Sequence, residues 1–426
     1  MATTVTIPGA SGPVSNTYAL ADNTNIAQQI HAALLALQGA GQLVNGIAGS
    51  SPPVVPPGSF GALDITAGGT VAAPPGYSLA ADSTAGANLT LTGFADLFGG
   101  DGNINFTNVA GAGLDSITAG NGADVFSLVA GSAYSVAAGT GNDTYVAGGT
   151  GTVSGGTGGN LFFVASTGGG NYISSNGTDT IVGQGGAATV VATGGNSEVF
   201  GGSSPMLVVL GGAGTDTFIG GSGADTIFGG LSTIVFGGST GPTFLASSND
   251  AATVFGGSGQ STLWGGNLAS GGNSSVSYIN TAAAGAIMLG GGGNETLSAA
   301  LSKSDNVFFA GQISVGGSPN DALIGGAGND VEFAGTGNDT MTGARGTNIF
   351  AFLSGHAGGT DLVTDFTPAD ILWLQGYDSV TAGTAFNNAT VSGGSLTVAL
   401  ADNTKITFNG ISDQSQINNG VNIHFV

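Results

Sequence analysis

A nine-residue glycine pattern that repeats head to tail is the feature that most limits what this chain can fold into. Residues 316–351 read GGSPNDALI, GGAGNDVEF, AGTGNDTMT and GARGTNIFA, four consecutive repeats in one register. The pattern is G-G-x-G-x-D-x-apolar-x, and further copies lie at 110–118, 119–127, 138–146, 211–219 and 220–228. Turn-forming sequences use Gly, Asn and Asp without a fixed period. The fixed period therefore indicates a repeat architecture in which each repeat stacks on its neighbour.

Each repeat has a physical interpretation as one loop and one short strand. The glycines permit positive φ and tight folding of the loop, and the x-apolar-x triplet predicts a strand whose central side chain points into a narrow core. Two repeats would make one turn, so residues 18 apart would stack in parallel rungs about 4.8 Å apart. The predicted fold class is all-β, a parallel β-roll or β-solenoid. Its predicted inward side chains are Ile117, Phe126, Tyr145, Phe218, Ile227, Leu323, Met341 and Phe350.

The stacked loops predict sites for a divalent cation. Asp321 and Asp339 are two repeats apart, as are Asp330 and Asn348, so each pair would lie in adjacent rungs. Hard oxygen ligands without nitrogen or sulfur suit Ca²⁺. Because stacked carboxylates repel one another without metal, folding of these rungs is expected to depend on calcium.

Further predicted calcium ligands are less regularly spaced. Asp143 lies one position beyond the place two repeats after Asp124, which a one-residue bulge would accommodate. Asp115, Asp216 and Asp225 have no aspartate two repeats away, so their sites would be partial. The glycine-rich lead-ins would add backbone carbonyls, for which the tandem run offers Gly328 and Gly337.

Residues 1–59 differ from the glycine-periodic remainder. Residues 1–49 are predicted as a helical module with the only substantial helix of the chain. Asp22 or Thr24 is its candidate N-cap and Gly39 its end. Residues 50–59, SSPPVVPPGS, are too rich in proline for a helix or an interior strand and predict a stiff linker. One face of the predicted helix carries Ile26, Ile30, Ala33, Leu34 and Leu37.

The remaining boundaries follow the glycine pattern. Residues 60–93 are expected to be a β segment leading into the solenoid, 94–352 the calcium-binding solenoid of about 14 turns, and 353–426 a C-terminal β-cap with a secretion signal. Between the aspartate clusters the glycine pairs persist without aspartate. Those rungs would depend on Ser, Thr and Asn hydrogen bonds and on apolar packing.

Charge and composition exclude several classes of partner. The chain has three basic against 25 acidic residues and a formal charge of −22, which repels nucleic acid and anionic membranes. It has no cysteine for disulfides or thiolate metal sites, and no apolar run long enough to span a membrane. The N-terminus, MATTVTIPGASG, lacks the basic start and apolar core of a secretory signal peptide.

The repeats resemble the calcium-binding nonapeptide repeats of the RTX (repeats-in-toxin) family, which form a parallel β-roll holding Ca²⁺ between successive loops. The resemblance is closest over 316–351. Residues 358–377 resemble the aspartate-rich strand pair that follows such repeats, and 395–412 resemble their terminal hairpin, with a turn at Asp402 to Thr404. The resemblance implies type I secretion from a Gram-negative cell through an uncleaved C-terminal signal, with which VNIHFV at the end is compatible.

One residue departs from the family pattern. Glu332 occupies a position that is normally apolar and inward. A buried carboxylate needs a partner, and a cation or Arg345 could serve, or the rung could be displaced.

These features favour a secreted, non-enzymatic calcium-binding protein that self-assembles, as a homo-oligomer or polymer, into a surface layer, matrix or filament. The chain has no H-E-x-x-H motif, and its three histidines are widely separated. One alternative is an adhesin that presents a flat Thr, Ser and Asn face to an extracellular polysaccharide or a host surface. Another is a β-helix carbohydrate-active enzyme, although one arginine offers it little support.

Overall fold

A computed structural model describes residues 2–82, 86–91, 96–108, 114–128, 130–137, 139–164, 169–174, 177–192, 194–240, 242–246, 251–265, 276–280, 284–311, 319–417 and 422–425. The chain divides into two compact units, residues 1–214 and 215–426. The lead-ins 110–113, 138 and 316–318 of three predicted repeats lie outside the described residues.

Unit 1 is a parallel β-solenoid with an N-terminal hairpin and helix. Its helix α1 spans Ala21–Gly39. Its strands are Thr3–Ile7 (β1), Val14–Tyr18 (β2), Leu43–Ile47 (β3), Phe60–Ile65 (β4), Gly69–Ala72 (β5), Tyr77–Asp82 (β6), Ala87–Leu91 (β7), Asp96–Phe98 (β8), Asn105–Asn108 (β9), Leu114–Thr118 (β10), Val125–Leu128 (β11), Ala133–Ala137 (β12), Thr144–Ala147 (β13), Thr150–Ser154 (β14), Leu161–Val164 (β15), Gly169–Ser174 (β16), Thr180–Gly183 (β17), Ala188–Ala192 (β18), Glu198–Phe200 (β19) and Met206–Leu210 (β20).

Alternate strands of unit 1 stack into two parallel ladders. Ladder A contains β3, β4 and the even strands from β6 to β20. Ladder B contains the odd strands from β5 to β19. Parallel pairing thus begins at Leu43, earlier than the glycine periodicity indicates. The proline-rich segment 50–59 joins β3 to β4, which are neighbours in ladder A, and Tyr77 donates a hydrogen bond to the Pro53 carbonyl over 3.0 Å.

The N-terminal module packs on ladder A of its own unit. Strands β1 and β2 form an antiparallel hairpin that the sequence did not predict. Helix α1 begins at Ala21, so neither Asp22 nor Thr24 is its N-cap, and Gly39 is its last residue. The side-chain amide of Asn23 donates to the carbonyls of Ala119 and Ala137 over 2.9 and 3.0 Å. Asn23 is therefore buried, whereas Ala33, which was predicted on the apolar face, is exposed.

Unit 2 is also a parallel β-solenoid. Its helices are α2, Ser379–Asn387, and a 3₁₀ turn, Gln414–Gln416. Its strands are Asp216–Ile219 (β21), Thr226–Phe228 (β22), Ser232–Phe236 (β23), Thr243–Leu245 (β24), Ala251–Phe255 (β25), Ser261–Trp264 (β26), Ser277–Ile279 (β27), Ala286–Leu289 (β28), Thr296–Ser298 (β29), Val307–Phe309 (β30), Ala322–Ile324 (β31), Val331–Phe333 (β32), Thr340–Thr342 (β33), Ile349–Leu353 (β34), Thr360–Val363 (β35), Ile371–Gln375 (β36), Thr390–Ser392 (β37), Ser395–Ala399 (β38), Lys405–Asn409 (β39) and Ile423–Phe425 (β40).

The two ladders of unit 2 have the same construction. Ladder A contains the even strands from β22 to β36 and ends at β40. Ladder B contains the odd strands from β21 to β35 and ends at β39. Taken together, the described parts of both units amount to about 15 turns, against about 14 predicted. The predicted fold class is confirmed, and all eight predicted inward side chains are fully buried.

The C-terminal cap adds one element to the expected strands. The predicted hairpin is β38 with β39, and Asn403 in its turn has a φ of 71°. Helix α2 was not predicted. Its first turn is capped by Asp378, which accepts the Thr381 amide over 2.8 Å, and its buried face carries Ala382 and Phe386. Neither helix of the described part of the chain has the length and apolar content needed to cross a bilayer.

Candidate metal centre

A ladder of buried Asp and Asn side chains runs along the loops that precede the strands of unit 2. One carboxylate oxygen of Asp339 accepts the Asp321 amide over 2.9 Å, and the other accepts the Gly335 amide of its own loop over 2.8 Å. Asn348 accepts the Asp330 amide over 3.0 Å. Both predicted pairs therefore lie in adjacent rungs, and each side chain points back to the preceding rung.

This inner ladder extends beyond the predicted residues at both ends. Asp321 accepts the amide of Glu295 and Asp330 that of Asn306, each over 2.7 Å. At the other end, Asp361 accepts the Asp339 amide over 3.0 Å and Asp370 accepts the Asn348 amide over 2.8 Å. These last steps are longer in sequence than those of the predicted pairs, so a fixed spacing did not predict Asp361 and Asp370.

Unit 1 contains a second inner ladder. Asp143 accepts the Asp124 amide over 2.9 Å, so the one-residue excess in their spacing is accommodated. The ladder continues where Asn160 accepts the Asp143 amide over 3.0 Å and Asp179 accepts the Asn160 amide over 2.9 Å. Asn160 takes the aspartate place of GGTGGNLFF, residues 155–163, and Asp179 that of SSNGTDTIV, residues 174–182, which keeps only the fourth-position glycine. Both were visible in the sequence, but neither was predicted as a ligand.

The side chains of the three predicted partial sites are also buried. Asp115 stands beside Tyr134 of the next rung and accepts the Asn108 side-chain amide over 2.6 Å. Asp216 stands beside Thr233. Asp225 precedes β22 and is buried. Within the described strands, no Asp or Asn of the following rung is in register with Asp115 or Asp216, as the spacing predicted.

An outer ladder of exposed Asn side chains accompanies the inner one and points in the opposite direction. Asn320 accepts the Asn338 amide, Asn338 the Thr360 amide and Asn329 the Thr347 amide, each over 2.8 Å. In an Asn-Asp doublet, the Asp therefore binds the preceding rung and the Asn binds the following one. The doublets were visible in the sequence, but their division of roles was not.

Glycine is required in these loops by close approach of stacked backbones. A Cβ on Gly337 would overlap the Pro319 carbonyl, and a Cβ on Gly346 would overlap the Gly328 carbonyl. Few of these glycines adopt the positive φ that glycine permits. Among the described glycines of 325–351, only Gly346 does so, with φ +100°.

Burial makes these carboxyl groups hard to ionise. Desolvation raises the pKa of Asp339 and of Asp143 to about 6. Desolvation, reinforced by the charge of Glu295, raises the pKa of Asp321 to about 8, and burial raises that of Asp361 to about 8. Amides that donate to each carboxylate lower these pKa values but do not offset the burial.

The donor chemistry fits a calcium ion held by few side chains. All candidate ligands are oxygens, which Ca²⁺ prefers. One buried carboxylate oxygen on each of Asp179 and Asp361 has no hydrogen-bond partner. No three Asp, Glu or His side chains of the described ranges converge on one point. A bound ion would therefore take most of its ligands from loop carbonyls, such as those of Gly328 and Gly337.

Glu332 is fully buried in the core, between Phe308 and Phe350 of the adjacent rungs. Neither of its carboxylate oxygens has a hydrogen-bond partner, although the amides of Gly325 and Thr342 lie near enough to moderate its raised pKa. Arg345 is exposed and forms no ion pair with it. Strand β32 keeps its register, so the rung is not displaced. Two of the three predicted explanations for Glu332 are therefore wrong.

Comparison with known families identifies the pattern. The RTX calcium-binding nonapeptide repeat, in four copies, matches residues 109–132, 208–232 and 315–350. No curated protein shows significant similarity to the chain. Of the predicted side-chain ligands, only Asp143 lies outside the matched residues. The ladder geometry therefore extends past the matched residues, to Asp143, Asn160 and Asp179 in unit 1 and to Asp361 and Asp370 in unit 2.

Proposed function

Because the chain carries RTX calcium-binding nonapeptide repeats on a β-solenoid, we propose that it is a secreted, non-catalytic structural protein of a Gram-negative cell. Calcium would stabilise it outside the cell, where it would self-assemble into a surface layer, matrix or filament. The observation that supports this proposal best is the inner ladder of unit 2. Its hydrogen bonds form two series through alternate loops, one from Glu295 to Asp361 and one from Asn306 to Asp370.

The ladder residues explain how calcium would control the fold. Asp321 and Asp339 hold their loops one rung apart through a hydrogen bond to the Asp321 amide. Ionising both carboxylates in this buried setting opposes that stacking. When bound, calcium supplies positive charge that offsets the repulsion. The loops would then fold only at calcium concentrations found outside cells, which suits a protein that is exported unfolded.

A non-catalytic role is supported by where the titratable groups lie. The inner-ladder carboxylates are buried, and at least one oxygen of each accepts a backbone amide of the same solenoid. His31 lies on α1, His356 in the turn after β34, and His424 in β40. Among the described residues, no three His, Asp or Glu side chains are grouped so that they could hold a catalytic metal ion.

A calcium titration of the purified chain tests the proposal. Light scattering, circular dichroism and electron microscopy would be recorded as calcium rises, with magnesium as the control ion. We expect calcium to order the chain and to produce regular assemblies that a chelator dissolves, whereas Mg²⁺, which demands a tighter octahedral site, does neither. Folded monomers at high protein concentration and saturating calcium would refute self-assembly.

An adhesin is the second candidate, and one surface of unit 2 favours it. A column of outward side chains on ladder B consists mainly of hydroxyl groups. Its members are Thr217, Ile234, Thr253, Ser277, Thr296, Ala322 and Thr340. Retention of calcium-loaded chain on an insoluble polysaccharide, lost when Thr253 and Thr296 are both replaced by Glu, would support this role.

A further inference from the structure

The outer face of ladder A in unit 2 carries an unbroken column of apolar side chains, one from each of eight consecutive strands. Phe228 and Trp264 are 40% and 38% exposed. The others are half-buried, except Ala351, which is buried. In register, the column consists of Phe228, Leu245, Trp264, Leu289, Phe309, Phe333, Ala351 and Trp373.

A second apolar column runs beside the first over the later strands. It is formed by Ile287, Val307, Val331, Ile349 and Ile371, which are also in register and point outward. We call the two columns together the apolar strip. It contains no charged side chain, although the chain as a whole has a formal charge of −22. Apolar surfaces of this continuity usually mark an interaction site.

Two aromatic rings at the centre of the strip pack face to face. Phe309 and Phe333 are stacked with ring centroids 4.5 Å apart and planes inclined by 7°. The ring centroids of Phe333 and Trp373 are 6.2 Å apart, and Ala351, which lies between them in register, is buried. Sugars bind aromatic residues through open ring faces, and Phe309 and Phe333 each turn one face toward the other. We therefore favour apolar packing over polysaccharide binding for this strip.

We propose that the apolar strip is the surface through which two copies of this chain pack face to face. This inference rests on the proposed self-assembly and names the surface that performs it. A second copy has the same rung spacing of about 4.8 Å, so side chains of one strip fit between those of the other along its whole length. Because the strip is uncharged, two strongly acidic chains meet there without placing carboxylates against each other.

The size of the strip sets the expected strength of the contact. The first column covers eight rungs and the second five, roughly 400 Å² on each copy. Pairing two strips would bury about 800 Å² in total, less than the roughly 1,000 Å² of a stable specific interface. The contact should therefore be weak and reversible in a pair of chains, and become strong only when many copies are linked in an assembly.

Two matched phenylalanines provide the test. Phe309 lies on the strip, and Phe255 lies on the outer face of ladder B in the same unit. Each is half-buried and stacks on one ring of a neighbouring strand, with Phe255 on Phe236 at 5.1 Å. Phe309→Glu and Phe255→Glu would be compared with the unaltered chain in saturating calcium by sedimentation velocity over a range of protein concentrations. Val307→Glu gives a second strip variant that disturbs no stacked ring.

We expect both strip variants to bind calcium and fold like the unaltered chain, and to need at least tenfold more protein to assemble, while Phe255→Glu shifts assembly less than twofold. Normal assembly of the folded strip variants would overturn the inference and leave the proposed function standing. An equal loss of assembly in Phe255→Glu would also overturn the inference and leave the proposed function standing. If the strip variants assemble normally but lose binding to neutral phosphatidylcholine vesicles, the occupant is a lipid surface and the inference is wrong. An unaltered chain that never assembles defeats both proposals.

Discussion

At the scale of single residues, Gly337 shows what the repeat demands. The Pro319 carbonyl of the preceding rung occupies the space that a Cβ on Gly337 would take. Because both contacting groups are backbone, neither can turn aside. We expect Gly337→Ala to separate the two loops, to lower the melting temperature of the calcium-loaded chain, and to weaken calcium binding.

Gly383 is the matched control for that substitution. It lies within α2 and has no atom within 4 Å of the position a Cβ would take. Since Ala favours a helix interior over Gly by about 0.5–1 kcal/mol, Gly383→Ala should leave the melting temperature unchanged or raise it. Calorimetry of both variants with and without calcium makes the comparison. Equal effects of the two substitutions would contradict the close-approach explanation.

Replacing Glu332 is expected to stabilise the fold, whereas replacing Gly337 is expected to destabilise it. Its carboxyl group is surrounded by the apolar side chains of the core and makes no hydrogen bond. An unsatisfied buried polar group costs about 1–3 kcal/mol, and Met has a similar length without that cost. Glu332→Met should therefore raise the free energy of unfolding by about that amount in urea titrations at neutral pH. Glu332→Gln removes the charge but keeps the unsatisfied polar group, so a gain from Gln as large as that from Met would show that charge alone is responsible.

At the scale of elements, the repeat period predicted the strands because one apolar residue in nine must point inward wherever rungs stack. It predicted the adjacent-rung pairs of Asp321 with Asp339 and Asp330 with Asn348 for the same reason. It could not predict α2, since Gly383 and two threonines weaken its helical propensity and the packing of Phe386 decides the outcome. Asp361 was not predicted because a longer turn after β34 places it 22 residues after Asp339, beyond the two-repeat spacing.

The inner ladder as an element predicts how stability depends on pH without calcium. The pKa values of Asp321 and Asp361 are raised to about 8 and that of Asp339 to about 6, above the usual value near 3.9 of an unfolded chain. The folded state thus binds more protons than the unfolded state. Its stability is fully present below about pH 4 and is lost as pH rises toward 8.

In a chelator, circular dichroism should accordingly show less folded structure at about pH 8 than at about pH 5. Saturating calcium should reduce or reverse this difference, because the ligands must be deprotonated to bind metal. Asp378→Asn is a suitable control. That carboxylate is exposed at the start of α2, and its pKa is lowered by the Thr381 amide, so its removal should leave the trend intact. A calcium-free chain that is more stable at the higher pH would contradict the buried ladder.

At the scale of the whole molecule, the charge of −22 could destabilise the calcium-free chain in two ways that salt distinguishes. Diffuse repulsion among surface carboxylates acts over distances that salt screens, since the Debye length falls from about 10 Å at 0.1 M to about 3 Å at 1 M. Repulsion within the inner ladder acts between rungs about 4.8 Å apart and inside the protein, where salt screens weakly. We therefore expect about 0.5 M NaCl to recover little structure in a chelator, and calcium at millimolar levels to recover it fully. Fluorescence of Trp264 and Trp373, both on ladder A of unit 2, would report the change together with circular dichroism. Full recovery in NaCl alone would mean that general charge screening, and not the ladder, controls folding.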